Sequence, residues 1–417
     1  MTIEDASLLR TRVKIEANGS YAVDDTGTPG NFIDLPVVSG SIAAEPLYAD
    51  LPQNLSQVYL DDVAESLVGP KANTVGFTTL LVSHGQDIDG DVTPVASGSC
   101  GPIDIMETVL GGRWAPANQS AQTVVAGTPT STVIEVTAGH GSSFTPGSTM
   151  GLTIASVYQV REVLSVSTDT VTVKEAFSAA PSVSDVVRVG ITTYLTENDS
   201  TADTSLQFLI EGREAGDGYG YFGCQMTGLT WAFTIGEIIT QAMQFAGAGW
   251  AQFNPTIAGA DLSSVSDPIM AFPLTLHVPT VGSTTLTDMC PFSAVDITPN
   301  ITWGPVKCGS ATNTISSMRR MANTEGAATG SFTLPFEDQA WFDAATNRTD
   351  HAITLQCGGT VGSTVFISLP TVQILQPTFT DADGVRSTQV PFRARHDDAI
   401  SSPTTDLQRS AIRVSYC

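Results

Sequence analysis

The sequence predicts a mainly β chain: two tandem sandwich- or barrel-type modules, each with one short helix, and a small β-barrel inserted into the first. Three observations carry that expectation. Only 14% of the 417 residues are charged, while Thr, Ser, Gly, Ala and Val abound, a composition that suits sheets joined by many turns. One hairpin pattern occurs twice, as "TWAFTIGEIITQAMQFAGA" at 230–248 and "QPTFTDADGVRSTQVPFRAR" at 376–395. A block rich in Thr, Ser and Val, with a short-strand rhythm of its own, interrupts the first half. The implied units are residues 1–114 with 191–255, the insert 115–190, and residues 256–417.

Each half opens with a lead-in, "FIDLPVVSGSIAAEPLYADLPQNLSQVYLDDVAES" or "MCPFSAVDITPNITWGPVKCGSATNTISSMRRMANTEG": an apolar strand, then a long polar stretch. Loops of more than about a dozen residues in compact domains are usually functional or disordered, and one at the same place in both halves favours function. In the first half, "TVGFTTLLVSHG" gives a strand through Val75, Phe77 and Leu80. "GPIDIMETVLGG" predicts a helix, with Pro102 at a first helical position and Ile103, Met106, Val109 and Leu110 on one face. In the insert, "STVIEVTAG", "SSFTPGSTMGL", "YQVREVLSVSTDTVTVKEAF" and "SDVVRVG" read as short strands, turned at Pro146-Gly147 and Thr168-Asp169. Loops on a sheet scaffold accept such inserts when the two ends of the insert lie close together.

The second half reads as a strand with Phe332, Leu334 and Phe336 on one face, then a short helix with Trp341, Phe342 and Ala345. Two strands follow, through Ile353, Leu355 and Cys357 and through Val365, Ile367 and Leu369, and the hairpin closes the set. Setting Leu206 on Ile353 and Phe208 on Leu355 aligns the two halves as an internal duplication. Trp231, Phe233, Trp341 and Phe342 read as core aromatics.

The net charge of −24, from 18 basic and 42 acidic residues, argues against binding nucleic acid by phosphate neutralisation. It serves solubility, or a surface past which DNA slides without sticking. No apolar run long enough to span a membrane occurs, and the opening "MTIEDASLLRTRVKIEANG" lacks a signal-peptide core. The six cysteines (Cys100, Cys224, Cys290, Cys308, Cys357 and Cys417) form no zinc-ligand spacing and read as small apolar fillers in a reducing compartment, a Cys290–Cys308 disulfide being the alternative.

Other motifs carry little chemistry. Asp87, Asp89 and Asp91 in "DIDGD" resemble the start of a calcium loop, but the twelfth position is Gly98 and the stretch reads as an acidic turn. The five histidines lie apart, no phosphate-binding GxxxxGK[ST] occurs, and carboxylate pairs in a chain with 42 acids decide nothing. No catalytic residue, metal ligand or cofactor is therefore assigned, and the chain is not expected to be an enzyme. Arg319 and Arg320, the one basic doublet, are either a solvated loop or a docking contact onto an acidic neighbour.

The order of elements resembles the tail tube (major tail) proteins of long-tailed, siphovirus-type bacteriophages. The stretches that carry it are 329–398, beginning "TGSFTLPFEDQAWF", and 193–250, beginning "TYLTENDSTADTSL". The resemblance implies a structural virion protein, made in the host cytoplasm and located in the tail, that forms stacked rings around a conduit for genome DNA. Its partners would be other copies of itself, the tape measure protein and the terminator or baseplate proteins, with DNA passing unbound. Two modules per chain imply rings of three chains, six being the alternative. The insert would be a decoration outside the tube. The hairpins would line the conduit through Phe233, Thr234, Thr240 and Gln241 and through Phe379, Thr380, Asp381, Ser387 and Gln389. In the second hairpin Phe379, Val390 and Phe392 are expected to pack inward, while Thr380, Asp381, Ser387 and Gln389 face water. Arg319 and Arg320 would contact the next ring, and Arg386, Arg393 and Arg395 would pair with acids of the adjacent unit. The rival readings are another tail ring, a β-sandwich adhesin or pilus-like subunit, and a carbohydrate-active β-sandwich enzyme.

Overall fold

A computed structural model describes residues 10–16, 32–38, 40–51, 67–82, 102–116, 121–125, 129–196, 205–211, 218–253, 274–285, 292–301, 303–307, 315–320, 327–335, 339–382, 385–397, 399–400 and 403–417. The fold is mainly β with antiparallel sheets. Among the described residues, eighteen strands share one hydrogen-bonded network, six form the insert, and two (Trp303–Lys307 and Ile315–Arg320) pair as a separate hairpin.

In the first half, strand Arg10–Ile15 pairs with Leu206–Glu211, which pairs with the long strand Gly218–Thr234. That strand turns back into Thr240–Gly247 and Gly249–Phe253. Thr240–Gly247 then pairs with Leu67–Leu80, whose other side carries Ala43–Leu51. Helix α1, Pro102–Leu110, begins at the predicted proline and buries Ile103, Met106, Val109 and Leu110 as its periodicity requires. Phe77, Phe208 and Phe245 meet with ring centroids 4.7 to 5.7 Å apart. Each such ring contributes about 2–3 kcal/mol by leaving water, and each pair about 0.5–1.5 more.

In the second half, Leu274–His277 pairs with Asp350–Cys357, which pairs with Val365–Ile374. Val385–Arg395 pairs with Thr378–Ala382, with Val365–Ile374 and with Ala328–Leu334, whose other side carries Ala294–Pro299. Helix α2, Gln339–Asn347, inserts Trp341 edge-on against Phe332 at 5.1 Å. Trp231 and Phe233 are fully buried, as expected of core aromatics, and Trp341 nearly so.

Among the described residues, strands of the two halves join at two places. Residues 231–234 of the long strand pair with 294–297. Strand Arg413–Tyr416 lies between Ile191–Leu195 and Val365–Ile374, hydrogen-bonded to both.

The inserted strands Gln122–Thr123, Val133–Glu135, Thr149–Ile154, Val157–Ser167, Thr170–Val173 and Val186–Val189 form one antiparallel sheet curled into a half-barrel. Its outer strands meet at a Val124–Val136 bridge. The predicted turns fall where expected: Gly147 has φ +88°, and Thr168 takes the left-handed conformation at φ 53°. A separate core fills the curl, including Ile134, Met150, Leu152, Val163, Val171 and Phe177.

The Asp383-Gly384 turn, the acidic stretch 87–91, Phe336, and Cys100, Cys290 and Cys308 lie outside the described residues.

Candidate functional site

Two surfaces have functional potential: the hairpins that sequence reasoning singled out, and a junction between insert and second half that it missed.

In the first hairpin the alternation of 230–234 puts Trp231 and Phe233 inside, with Thr230 and Ala232 only half-covered. Gln241 is buried opposite and accepts the Trp231 indole N–H at 3.2 Å, so it serves the core and does not face outward. Thr240 is half-buried, and Thr234 is exposed beside the turn at Gly236, whose φ of +87° favours glycine. The tip presents Ile235 and Ile238, each more than two-fifths exposed.

The second hairpin departs from expectation at two positions. Val390 and Phe392 are buried as predicted, but Phe379 is 48% exposed, with Phe342 at 5.3 Å and the Arg386 guanidinium 4.4 Å above its ring. Ser387, expected in water, is fully buried together with its neighbour Thr388. Two consecutive buried residues mean that both faces of the sheet are covered there, so alternation stops predicting exposure. Asp381 is exposed, while Thr380 and Gln389 are half-buried, Gln389 donating to Ser331 Oγ at 3.1 Å. Two arginines expected to pair across subunits are engaged within the chain: Arg395 with Asp350 at 3.4 Å and Arg393 with the Gln373 amide oxygen at 3.0 Å. Arg319 and Arg320 lie on the strand paired with Trp303–Lys307, and their side chains are outside the described residues.

The junction is built on strand Val157–Ser167. Gln159, Arg161 and Val163 belong to its half-barrel side, where Arg161 donates to the Ala176 carbonyl at 3.1 Å and stacks over Phe177. Tyr158, Val160 and Glu162 point the other way, onto the second half. Tyr158 and Val160 share a small apolar cluster with Phe366 and Cys417. The Gln356 side chain clamps the strand's backbone, accepting from Val160 N–H at 2.9 Å and donating to Tyr158 C=O at 2.7 Å.

Beside this clamp lies a charge cluster withdrawn from water. Arg413, 1% exposed, pairs with Glu162 and, at 2.9 Å, with Asp397, and also donates to the Leu407 and Gln408 carbonyls at 2.8 and 3.0 Å. Lys174 bridges the same two acids at 2.7 and 2.6 Å, and Ser368 donates to Glu162. Two cations thus balance two carboxylates, the condition under which buried charge is tolerated. Burial alone would raise Asp397, yet Lys174 and Arg413 outweigh it and hold the carboxyl below its ordinary value. Glu175, next to the cluster and accepting from Thr354 at 3.3 Å, is pushed up to about 7 by burial despite Arg161. The insert is therefore fastened to the second half by buried charge.

The described thiols offer no chemistry. Cys224, Cys357 and Cys417 are free and buried, and burial raises all three, Cys417 to about 12. A protonated, inaccessible thiol is not a nucleophile.

No family model matches the chain, and no curated protein matches it.

Proposed function

We propose that the chain is a tail tube subunit of a long-tailed bacteriophage: two tandem modules, assembled with other copies into rings that stack around a conduit for genome DNA. The observation that carries this reading is that the two halves use one pairing scheme. Arg10–Ile15 with Leu206–Glu211 corresponds to Leu274–His277 with Asp350–Cys357. Ala43–Leu51 with Leu67–Leu80 corresponds to Ala294–Pro299 with Ala328–Leu334, and each central strand then pairs with the returning arm of its hairpin.

Finer details agree. A register shift falls between Leu206 and Phe208 and again between His351 and Ile353. The ladders thus equate Phe208 with Ile353, two residues from the alignment that side-chain pattern suggested. Phe77 stacks on Phe245 at 5.7 Å and 26°, and their counterparts Phe332 and Phe392 stack at 6.3 Å and 29°. β-Bulges are specific features that independent folds have no reason to place alike.

A polymerising structural role also accounts for the exposed apolar residues at the hairpins and for sheet edges unpaired among the described residues, which a monomer normally blunts. The net charge of −24 suits a wall past which DNA moves unbound. Rings of three chains supply six modules, the count the family resemblance implies. Negative-stain microscopy of the purified protein tests the reading: hollow tubes with a regular axial repeat are expected, and monomers at every salt concentration would overturn it.

A further inference from the structure

Within one chain the two halves meet edge to edge, and that seam has a counterpart left open. The seam is the ladder Trp231–Ile297, Ala232–Asp296, Phe233–Val295 and Thr234–Ala294. It joins the outgoing hairpin arm of the first half to the lead-in strand of the second. The corresponding elements are the outgoing arm of the second hairpin, Thr378–Ala382, and the lead-in strand of the first half, Ala43–Leu51. Among the described residues, Thr378–Ala382 pairs only with Val385–Arg395, and Ala43–Leu51 only with Leu67–Leu80. Each therefore has one ladder edge that no described residue pairs with.

We propose that these two edges join between copies: Thr378–Ala382 of one chain pairs antiparallel with the lead-in strand of the next, head to tail. The inference rests on reading the halves as equivalent, and it names which surfaces meet. The register follows from shared partners. Met243 faces Phe77 as Val390 faces Phe332, which equates Trp231 with Phe379 and Ala232 with Thr380 through the hairpin ladders. Counting back along the strands beside Phe77 and Phe332 equates Ala43 with Asp296 and Ala44 with Ile297, and also sets Pro46 on Pro299. The intermolecular ladder is then Phe379 opposite Ala44 and Thr380 opposite Ala43.

Exposure supports this register. Trp231 and Ile297 are fully buried where the seam exists, whereas their counterparts are open: Phe379 is 48% exposed and Ala44 only half-covered. The outward pair Ala232 and Asp296 matches the outward pair Thr380 and Ala43. A bare edge carrying a large uncovered aromatic is a template for strand addition, and continuing a seam the chain already makes commits the occupant to a second copy. Because the contact is heterologous, it closes into a ring or propagates as an open chain.

Cross-strand cysteines test it. In Ala43→Cys/Thr380→Cys, oxidation is expected to shift the chain from 43.7 kDa to covalent multiples on a non-reducing gel. An equimolar mixture of the two single variants should give a two-chain product. The control Ala44→Cys/Thr380→Cys places the thiols on opposite faces and should stay single. Cross-linking in the control but not in the test pair, or in neither, would overturn the seam. The outcome separates from that of the tube reading: tubes without the cross-link refute this seam alone, and covalent rings that never stack refute the tube while keeping the seam.

Discussion

Replacing Arg413 with Met removes the larger of two cations from the junction while keeping an apolar side chain of similar reach. Glu162 and Asp397, 3% and 0% exposed, would then share only Lys174. Breaking a buried ion pair from one side costs about 3–5 kcal/mol, because the remaining charge is stranded. The Leu407 and Gln408 carbonyls would also lose their donor. Since Lys174 stays within 2.7 Å of both acids, the lower end applies, about 3 kcal/mol, against a domain stability of about 5–15. The sign of the pH dependence is fixed. Asp397 lies below its ordinary value in the folded chain, so its stabilisation is present above the unfolded value of about 4 and lost as pH falls through the folded one. The penalty should therefore be full at neutral pH and shrink in acid. Urea titration with hydrogen exchange at Val160 and Lys174, whose amides are bonded to Gln356 and Glu162, reads the effect locally. A loss below about 1 kcal/mol at pH 7, or one that grows on acidification, would refute the argument.

Two further perturbations follow. Glu175 is raised from 4.5 to about 7, so the folded chain holds a proton that the unfolded chain releases, and stability declines as pH rises through that window. Glu175→Gln should match the parent near pH 5 and exceed it near pH 8 by up to about 3 kcal/mol in denaturant titrations, and an unchanged pH slope would contradict the assignment. In Gly330→Ala, the new Cβ would meet the Asp296 carbonyl oxygen at 2.1 Å and the Phe392 ring at 2.6 Å. The carbonyl cannot yield without parting Ala294–Pro299 from Ala328–Leu334, and the Phe392 ring is itself fully buried, so a loss of about 1–3 kcal/mol is expected in thermal melts, and an unchanged melt would show that the strands have room.

Much of the fold was legible because it is local. Alternation located the strands around Phe77, Phe332 and Ile353, Pro102 marked the start of α1, and the Gly and Thr-Asp turns marked the insert. The hairpins were legible as hairpins but not as surfaces. The burial of Ser387 depends on cover from both faces, and the exposure of Phe379 on a strand edge that no other described strand of the chain covers. The junction was illegible for another reason: Glu162 and Lys174 lie more than two hundred residues from Asp397 and Arg413, and the four share no spacing. Lone charges in apolar runs, Lys174-Glu175 after "TVTV" and Arg413 in "AIRVSY", were the available signal, and a buried charge must find a partner wherever the chain supplies one.

Strand Arg413–Tyr416 emerges from the ribosome after both strands it knits together and after the whole half-barrel. Until it arrives, Glu162 and Lys174 lack Arg413 and the groove beside Phe366 is unfilled. A chain whose synthesis halts early thus presents an unfinished joint, open to proteolysis.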